Sequence, residues 1–264
     1  MISLLSSARC IRQAQRLTSA AQLPQVPRIS NPTFDHFRLN YFDQSKPVVI
    51  TDSIHHWKAL SRWKDYTALK SQYGDTIVPV ELGRFTDPDF EQIHLRLSQF
   101  IDLFILGEVP KKNQGNLPTG YLAQHQLFDS LPALRADFDP PVYTRSGRND
   151  HYQTTVFFGP AGTVSPLHKD PYQNLLAQVT GRKQIRLYPP TQSEFLYPFE
   201  DPFKRNTSQV TDIEKYEKRK FPWFEKAEYQ ECVLGEGEVL FIPLGWWHYV
   251  KGLDVSFSVS FWFR

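Results

Sequence analysis

Two cysteines, Cys10 and Cys232, are too few for a disulfide framework or a cysteine-ligated zinc module. The chain must be stabilised by burial, and it suits a reducing compartment. Charge of one sign is also missing: 30 basic against 28 acidic residues leave a formal charge of +2. Nothing in that balance drives the whole molecule toward nucleic acid or an anionic membrane. No apolar run approaches the roughly 20 residues that span a bilayer. Internal repeats and low-complexity segments are absent as well, which excludes solenoids and propellers.

A more local absence marks the N-terminus. Residues 1–34 contain neither Asp nor Glu, yet carry Arg9, Arg12, Arg16 and Arg28 among several serines. Such a composition resembles a mitochondrial presequence. An ordinary amphipathic helix leading into the domain explains it equally well, since Leu4, Leu5, Ala8, Ile11 and Leu17 fall near helical spacing. The compartment is therefore read only as intracellular, cytoplasm or nucleus, with the mitochondrion open.

What is present is enough apolar material, 41% of 264 residues, for one large core. Regular patterns begin after the prolines between Pro24 and Pro32. This divides the chain into an extension, 1–30, and a domain, 31–264, with an α/β part at 31–150 and a strand-rich core at 151–264. Pro47–Thr51 and Ile77–Leu82 read as strands. Ile54–Tyr73 reads as a helix, with Trp57, Leu60, Trp63, Tyr66 and Leu69 recurring at three- to four-residue steps. Arg96–Ile105 has a helical rhythm, and Pro110–Pro118 reads as a polar loop. From Gln153 the chain becomes a series of short strands: Thr154–Phe158, Asn174–Val179, Gln184–Tyr188, Glu238–Pro243, Trp247–Val250 and Val255–Phe263. That spacing predicts a mainly β fold with flanking helices, a sandwich or barrel-like jelly roll. Thr211–Lys220 is expected to be a solvated helix or an insert, and the sequon Asn206-Thr-Ser208 a surface loop.

Eight histidines make histidine alone uninformative. His168 and Asp170 differ because they stand two apart in Ser165-Pro-Leu-His-Lys-Asp-Pro-Tyr-Gln-Asn174, so on extended chain they point to one side. A strand and breaker, Glu238–Pro243, then brings His248 back toward that pair. Two imidazoles and a carboxylate can occupy one face of an octahedral Fe(II), leaving positions for a bidentate co-substrate and dioxygen. A dicarboxylate bound there needs a cation for its far end. Lys183 shares a strand face with Ile185 and Leu187 and fits that need, although a solvated place at the strand's entry beside Arg182 would serve as well. Ser165 and Tyr121 could add hydroxyl donors, and Asn174 could reach the metal-proximal end. The last strand alternates Val255, Phe257, Val259, Phe261 and Phe263 with Ser256, Ser258, Ser260 and Trp262. Its hydroxyl-rich face either lines a ligand cavity or is the solvent side of an edge strand.

Taken together these residues resemble the JmjC family of 2-oxoglutarate-dependent oxygenases, from about Pro47 to Arg264. Pro47-Val-Val-Ile50, Gly120-Tyr-Leu-Ala-Gln-His-Gln-Leu-Phe-Asp129, Gly181-Arg-Lys-Gln-Ile-Arg-Leu-Tyr188 and Ser256-Phe-Ser-Val-Ser-Phe-Trp262 carry the likeness. They look most like the small type that hydroxylates arginyl C3, also described as a lysine demethylase. The resemblance implies a double-stranded β-helix, the cupin-like jelly roll. It implies Fe(II) on His168, Asp170 and His248. It further implies 2-oxoglutarate held by Tyr121, Ser165, Asn174 and Lys183, with Trp262 packed beside it, and O2 as oxidant. Glu81 would meet a substrate guanidinium, with Gln124 nearby. By itself Glu81 reads better as a solvated residue at a strand end. Phe85 and Phe157 stand where the family has tyrosine and tryptophan, keeping an aromatic face and losing a hydrogen-bond donor.

The expected activity is protein hydroxylation of an arginyl side chain at C3. Nε-methyl-lysine demethylation is the first alternative and a catalytically silent binding module the second. Expected partners are a protein or peptide substrate, with no direct nucleic acid and no membrane. A monomer is expected because the sequence ends at Arg264 directly after its last strand.

Overall fold

A computed structural model describes residues 24–108, 118–148 and 151–264. The N-terminal stretch that prompted the presequence reading, and most of the Pro110–Pro118 loop, lie outside those residues. The strands are β1 (Arg28–Ser30), β2 (Val48–Thr51), β3 (Ile77–Leu82), β4 (Glu91–Arg96), β5 (Gly120–His125), β6 (His151–Gly159), β7 (Val164–Lys169), β8 (Gln173–Thr180), β9 (Lys183–Tyr188), β10 (Gln230–Leu234), β11 (Val239–Ile242), β12 (Trp247–Gly252) and β13 (Ser256–Phe263). They form a large sheet in the order β1-β2-β11-β8-β13-β6-β5-β3-β4 and a small one in the order β10-β9-β12-β7. Leu176, Leu240 and Ile242 from the first pack on Ile185, Leu187, Leu234 and Val250 from the second, which makes a jelly roll with an apolar inner layer.

The alternation of β13 organises the large sheet. This strand pairs with β6 on one side and β8 on the other, and all of its residues are buried. It is a central strand, so the edge-strand alternative for its serine face is excluded. Phe257, Val259, Phe261 and Phe263 face a second core built with Trp57, Trp63, Phe100 and Phe138 from the helical layer. The serines face inward, where Ser258 donates to Gln178 at 2.7 Å and Ser260 to Asn174 at 2.6 Å.

The helix expected over Ile54–Tyr73 is two pieces, Ala59–Arg62 and Tyr66–Tyr73. Asp65 restarts it, its carboxylate accepting the Ala68 N–H at 2.9 Å as an N-cap. Periodicity could not see the break, because Trp63 and Leu69 still turn toward the same core. Thr211–Lys220 is an insert of turns without a helix. Asp212 Oδ1 accepts the Glu214 and Lys215 N–H groups at 2.9 and 3.1 Å, and this local turn competes with helical bonding. The chain before β1 is also built in: Val26 is buried in the inner layer, and its N–H bonds Glu231 O at 3.0 Å. Residues from Pro24 to Ser30 thus strap the small sheet to the large one.

Phe257 lies parallel to Phe158 at 4.6 Å and against Trp63 at 4.6 Å. Phe257→Ala should cost about 3–5 kcal/mol, read as a lower urea midpoint with an unchanged slope.

Candidate metal centre and co-substrate pocket

Strand pairing places the two histidines. β7 and β12 are antiparallel neighbours in which His168 and His248 are direct partners, and their rings lie 4.2 Å apart. Asp170 follows β7 in a turn whose carbonyl accepts the Gly245 N–H at 3.2 Å. Its two oxygens approach His168 Nε2 at 3.9 Å and His248 Nε2 at 3.7 Å. One donor atom from each residue falls within 4.8 Å of the others.

The tautomers suit a metal. His168 Nδ1 bonds Pro166 O at 2.7 Å and His248 Nδ1 bonds Trp246 O at 3.1 Å. A carbonyl only accepts, so each Nδ1 carries a proton, and Nε2, on the side of Asp170, is the ring atom left to ligate a metal. Burial, and then the His168 ring, hold His248 well below the usual imidazole range and keep it neutral. Two imidazole nitrogens and one carboxylate on one side of a cavity are the donor set Fe(II) takes in facial sites.

A cavity of about 440 Å³ opens from this face. Lys183 is only 1% exposed there, and its ammonium donates to Tyr121 OH at 3.2 Å. The solvated alternative for this lysine fails because Arg182 takes the outer position, with Asp254 at 2.7 Å. Lys183 stands 5.7 and 5.4 Å from the rings of Tyr121 and Phe157. Burial depresses its pKa to about 7. Tyr121 also hydrogen-bonds Ser165, and burial, then Glu81, raise its hydroxyl above the usual phenol range. Nearby the buried Trp262 Nε1–H has no partner among the described residues. A buried cation without a counter-ion and an unused N–H donor are a cradle for an anion such as a dicarboxylate.

The more exposed part of the cavity wall is made by Glu81, Phe85 and Gln124, while Phe157 lines it beside Lys183. Glu81 pairs with Gln92 and with Tyr121 across the sheet, and it is partly buried rather than a solvated strand end. Desolvation pushes its pKa up to about 7. Gln124 sits at a bulge in β5 with a φ of 52°, and Phe85 meets the His168 ring edge-on at 6.1 Å. Every site residue singled out from the sequence therefore borders one cavity. Sequence reasoning missed Asn206 and Thr207, which also line it. The sequon was read as surface; Asn206 is exposed, but Thr207 and Ser208 are buried, because Thr207 bridges to His168 at the edge of β7. That pairing lies 39 positions apart and leaves no local signal.

A cupin-like domain family matches residues 35–264. Lysine-specific demethylase 8 of Xenopus tropicalis is 47% identical over 241 residues, 90% of this chain and 52% of that protein. Lysine-specific demethylase JMJ30 of Arabidopsis thaliana is 41% identical over 239 residues, covering 90% and 54%. Jumonji C domain-containing protein 5 of Drosophila melanogaster is 35% identical over 252 residues, covering 94% and 62%. The chain thus spans little more than half the length of these relatives. No helix among the described residues is long and apolar enough to cross a membrane.

His168→Ala and Asp170→Ala should abolish high-affinity metal binding, checked by the visible absorption of Co(II) added to the apoprotein. An anion at Lys183 restores its charge, so dicarboxylate binding should take up a proton at pH 8, where the free lysine is mostly neutral, and none at pH 6. Affinity should fall as pH rises above about 7. Calorimetry in buffers of different ionisation enthalpy reads this, and Lys183→Met should remove it.

Proposed function

The chain belongs to the cupin-like family that includes the JmjC proteins, and we propose that it is an Fe(II)- and 2-oxoglutarate-dependent oxygenase acting on a cationic side chain of a protein. One observation carries this reading. The converging His168, Asp170 and His248 donors share a cavity with the buried Lys183, which has no carboxylate partner among the described residues. Held by those three residues, iron would supply the redox chemistry with O2 that side chains alone cannot perform.

The chain's own residues bind and orient. Lys183 and Tyr121, backed by Ser165, receive the far carboxylate of 2-oxoglutarate, and Trp262 offers its N–H to the same ligand. The apolar walls from Leu176, Ile242 and Val250 exclude water from the inner cavity. Glu81 faces the incoming side chain. A carboxylate in a desolvated site recovers its charge when a cation arrives, which favours arginine or a methylated lysine over a neutral residue.

Two forms of the reaction fit this site. The names of the frog and Arabidopsis relatives favour Nε-methyl-lysine demethylation over arginyl C3 hydroxylation, which the sequence placed first. Arginyl hydroxylation is supported by Glu81, whose two oxygens can accept a guanidinium fork. A silent binding module is disfavoured because the ligand triad and the co-substrate lysine are both intact.

Mass spectrometry after incubation of the protein with iron, 2-oxoglutarate and peptides decides between the forms. Loss of a methyl group with formaldehyde supports demethylation; one added oxygen on arginine supports hydroxylation. Either way Glu81→Gln should lower kcat/KM about tenfold or more, as expected for losing a charged bond to substrate. Turnover confined to neutral residues would overturn the cationic target, and absence of iron-dependent succinate formation would favour the silent module.

A further inference from the structure

We propose that Arg84 is a positioning residue for the protein substrate, tying the loop that carries Phe85 to Thr211 and Asp212 across the mouth of the cavity. The proposal rests on the oxygenase reading above and adds a specificity element to it.

The reasoning starts from His168. β7 is an edge strand of the small sheet, and His168 is the more open imidazole, 20% exposed against 5% for His248. Two segments cover it from different sides. The segment just before the insert, residues 206–208, pairs with the free edge of β7: the Lys169 N–H bonds Asn206 O at 2.8 Å and the Ser208 N–H bonds Leu167 O at 2.9 Å. From the other side, the loop between β3 and β4 lays Phe85 edge-on against the His168 ring. Phe85 is 41% exposed and belongs to none of the apolar cores, so packing alone does not hold it.

What holds it is polar. The loop leaves β3 through Gly83, whose φ of 81° suits glycine, and closes locally where Asp87 Oδ2 accepts the Arg84 N–H at 2.9 Å. The Arg84 guanidinium then crosses to the insert, donating to Thr211 O at 3.3 Å and, through both terminal nitrogens, to Asp212 Oδ2 at 3.3 Å. Asp212 is itself fixed, since its other oxygen accepts two amide N–H groups. The next acid, Glu214, takes Lys251 Nζ at 2.7 Å, and Lys251 lies on β12 three residues after His248. One tie therefore runs from the wall beside the first imidazole to the strand of the second. Its charged groups are 30% and 23% exposed, sheltered enough to outweigh a fully solvated pair.

Releasing Arg84 frees Phe85 and widens the mouth on the side where Glu81 meets substrate. A side chain held less exactly over the metal loses turnover steeply. Lys183, at the inner end, is untouched by the change. The effect should fall on the protein substrate and spare the co-substrate.

The test uses the full chain with Arg84→Gln, Asp212→Asn and the double variant. KM for a reacting peptide should rise about fivefold, the ratio of succinate to oxidised peptide should increase, and KM for 2-oxoglutarate should stay within twofold. Because Arg84→Gln already removes the contact that Asp212→Asn weakens, the double variant should be no worse than Arg84→Gln alone, and Arg84→Lys should restore part of the loss. Hydrogen exchange at residues 84–87 should quicken about fivefold, a readout that needs no turnover. Additive losses, equal rises in both KM values, or an unchanged peptide KM would overturn the proposal. If the wild type forms no succinate, the oxygenase reading fails; fluorescence anisotropy of a labelled cationic peptide then decides, with fivefold weaker binding to Arg84→Gln supporting the tie and equal binding overturning it.

Discussion

The direct pairing of β7 with β12 is the constraint on which the rest of this structure depends. It makes His168 and His248 cross-strand neighbours, and the backbone carbonyls of Pro166 and Trp246 fix both rings by their Nδ1 protons. With those protons anchored, both Nε2 atoms are free to face Asp170. A shift of one residue in this register would turn one imidazole to the opposite face of the sheet. Geometry, tautomer and the cavity's chemistry all follow from that alignment.

The jelly roll accommodates a cost at its centre. Interiors of packed sheets favour apolar side chains, yet here the inner face carries Asn174, Gln178, Lys183 and the serines of β13. Some of these groups satisfy one another, as Ser258 does with Gln178 and Ser260 with Asn174. Among the described residues Lys183 bonds the Tyr121 hydroxyl but meets no carboxylate, and the Trp262 Nε1–H has no partner; burial with so little compensation is unfavourable. The apolar layer formed by Leu176, Ile185, Leu187 and Ile242, together with the aromatic core outside β13, supplies the stability that permits it. A site of this kind trades local stability for readiness to bind an anion.

Electrostatics divide the cavity into two ends. Lys183 inside and Glu81 outside are displaced toward neutrality by desolvation, and both are drawn to values near 7. Tyr121 stands between them, hydrogen-bonded to Lys183 and paired across the sheet with Glu81. Under the proposed function an anion would take the inner end and a cation the mouth. Around that mouth Thr207 and Phe85 of the β3–β4 loop meet over His168, so the access route is made by segments far apart in the chain.

Much of this was legible in the sequence, because the informative signals are local. The H-x-D spacing, the alternation of β13 and the placing of Lys183 beside Ile185 depend only on the two-residue period of a strand. The break at Asp65 escaped notice because it preserves the apolar stripe, and the insert's turns because a charged run looks the same in a helix or a loop. Whether the serine face of β13 met solvent or a ligand, and whether Glu81 was solvated or enclosed, depended on which strands lie alongside. The sequence by itself determined the spacing of the His168, Asp170 and His248 set, the placing of Lys183 on a strand face with Ile185 and Leu187, and the strand-rich fold. Only tertiary structure decided that β13 is central, that Thr207 covers His168 and that Arg84 reaches Asp212, since each is a contact between distant segments whose partners carry no mark of one another.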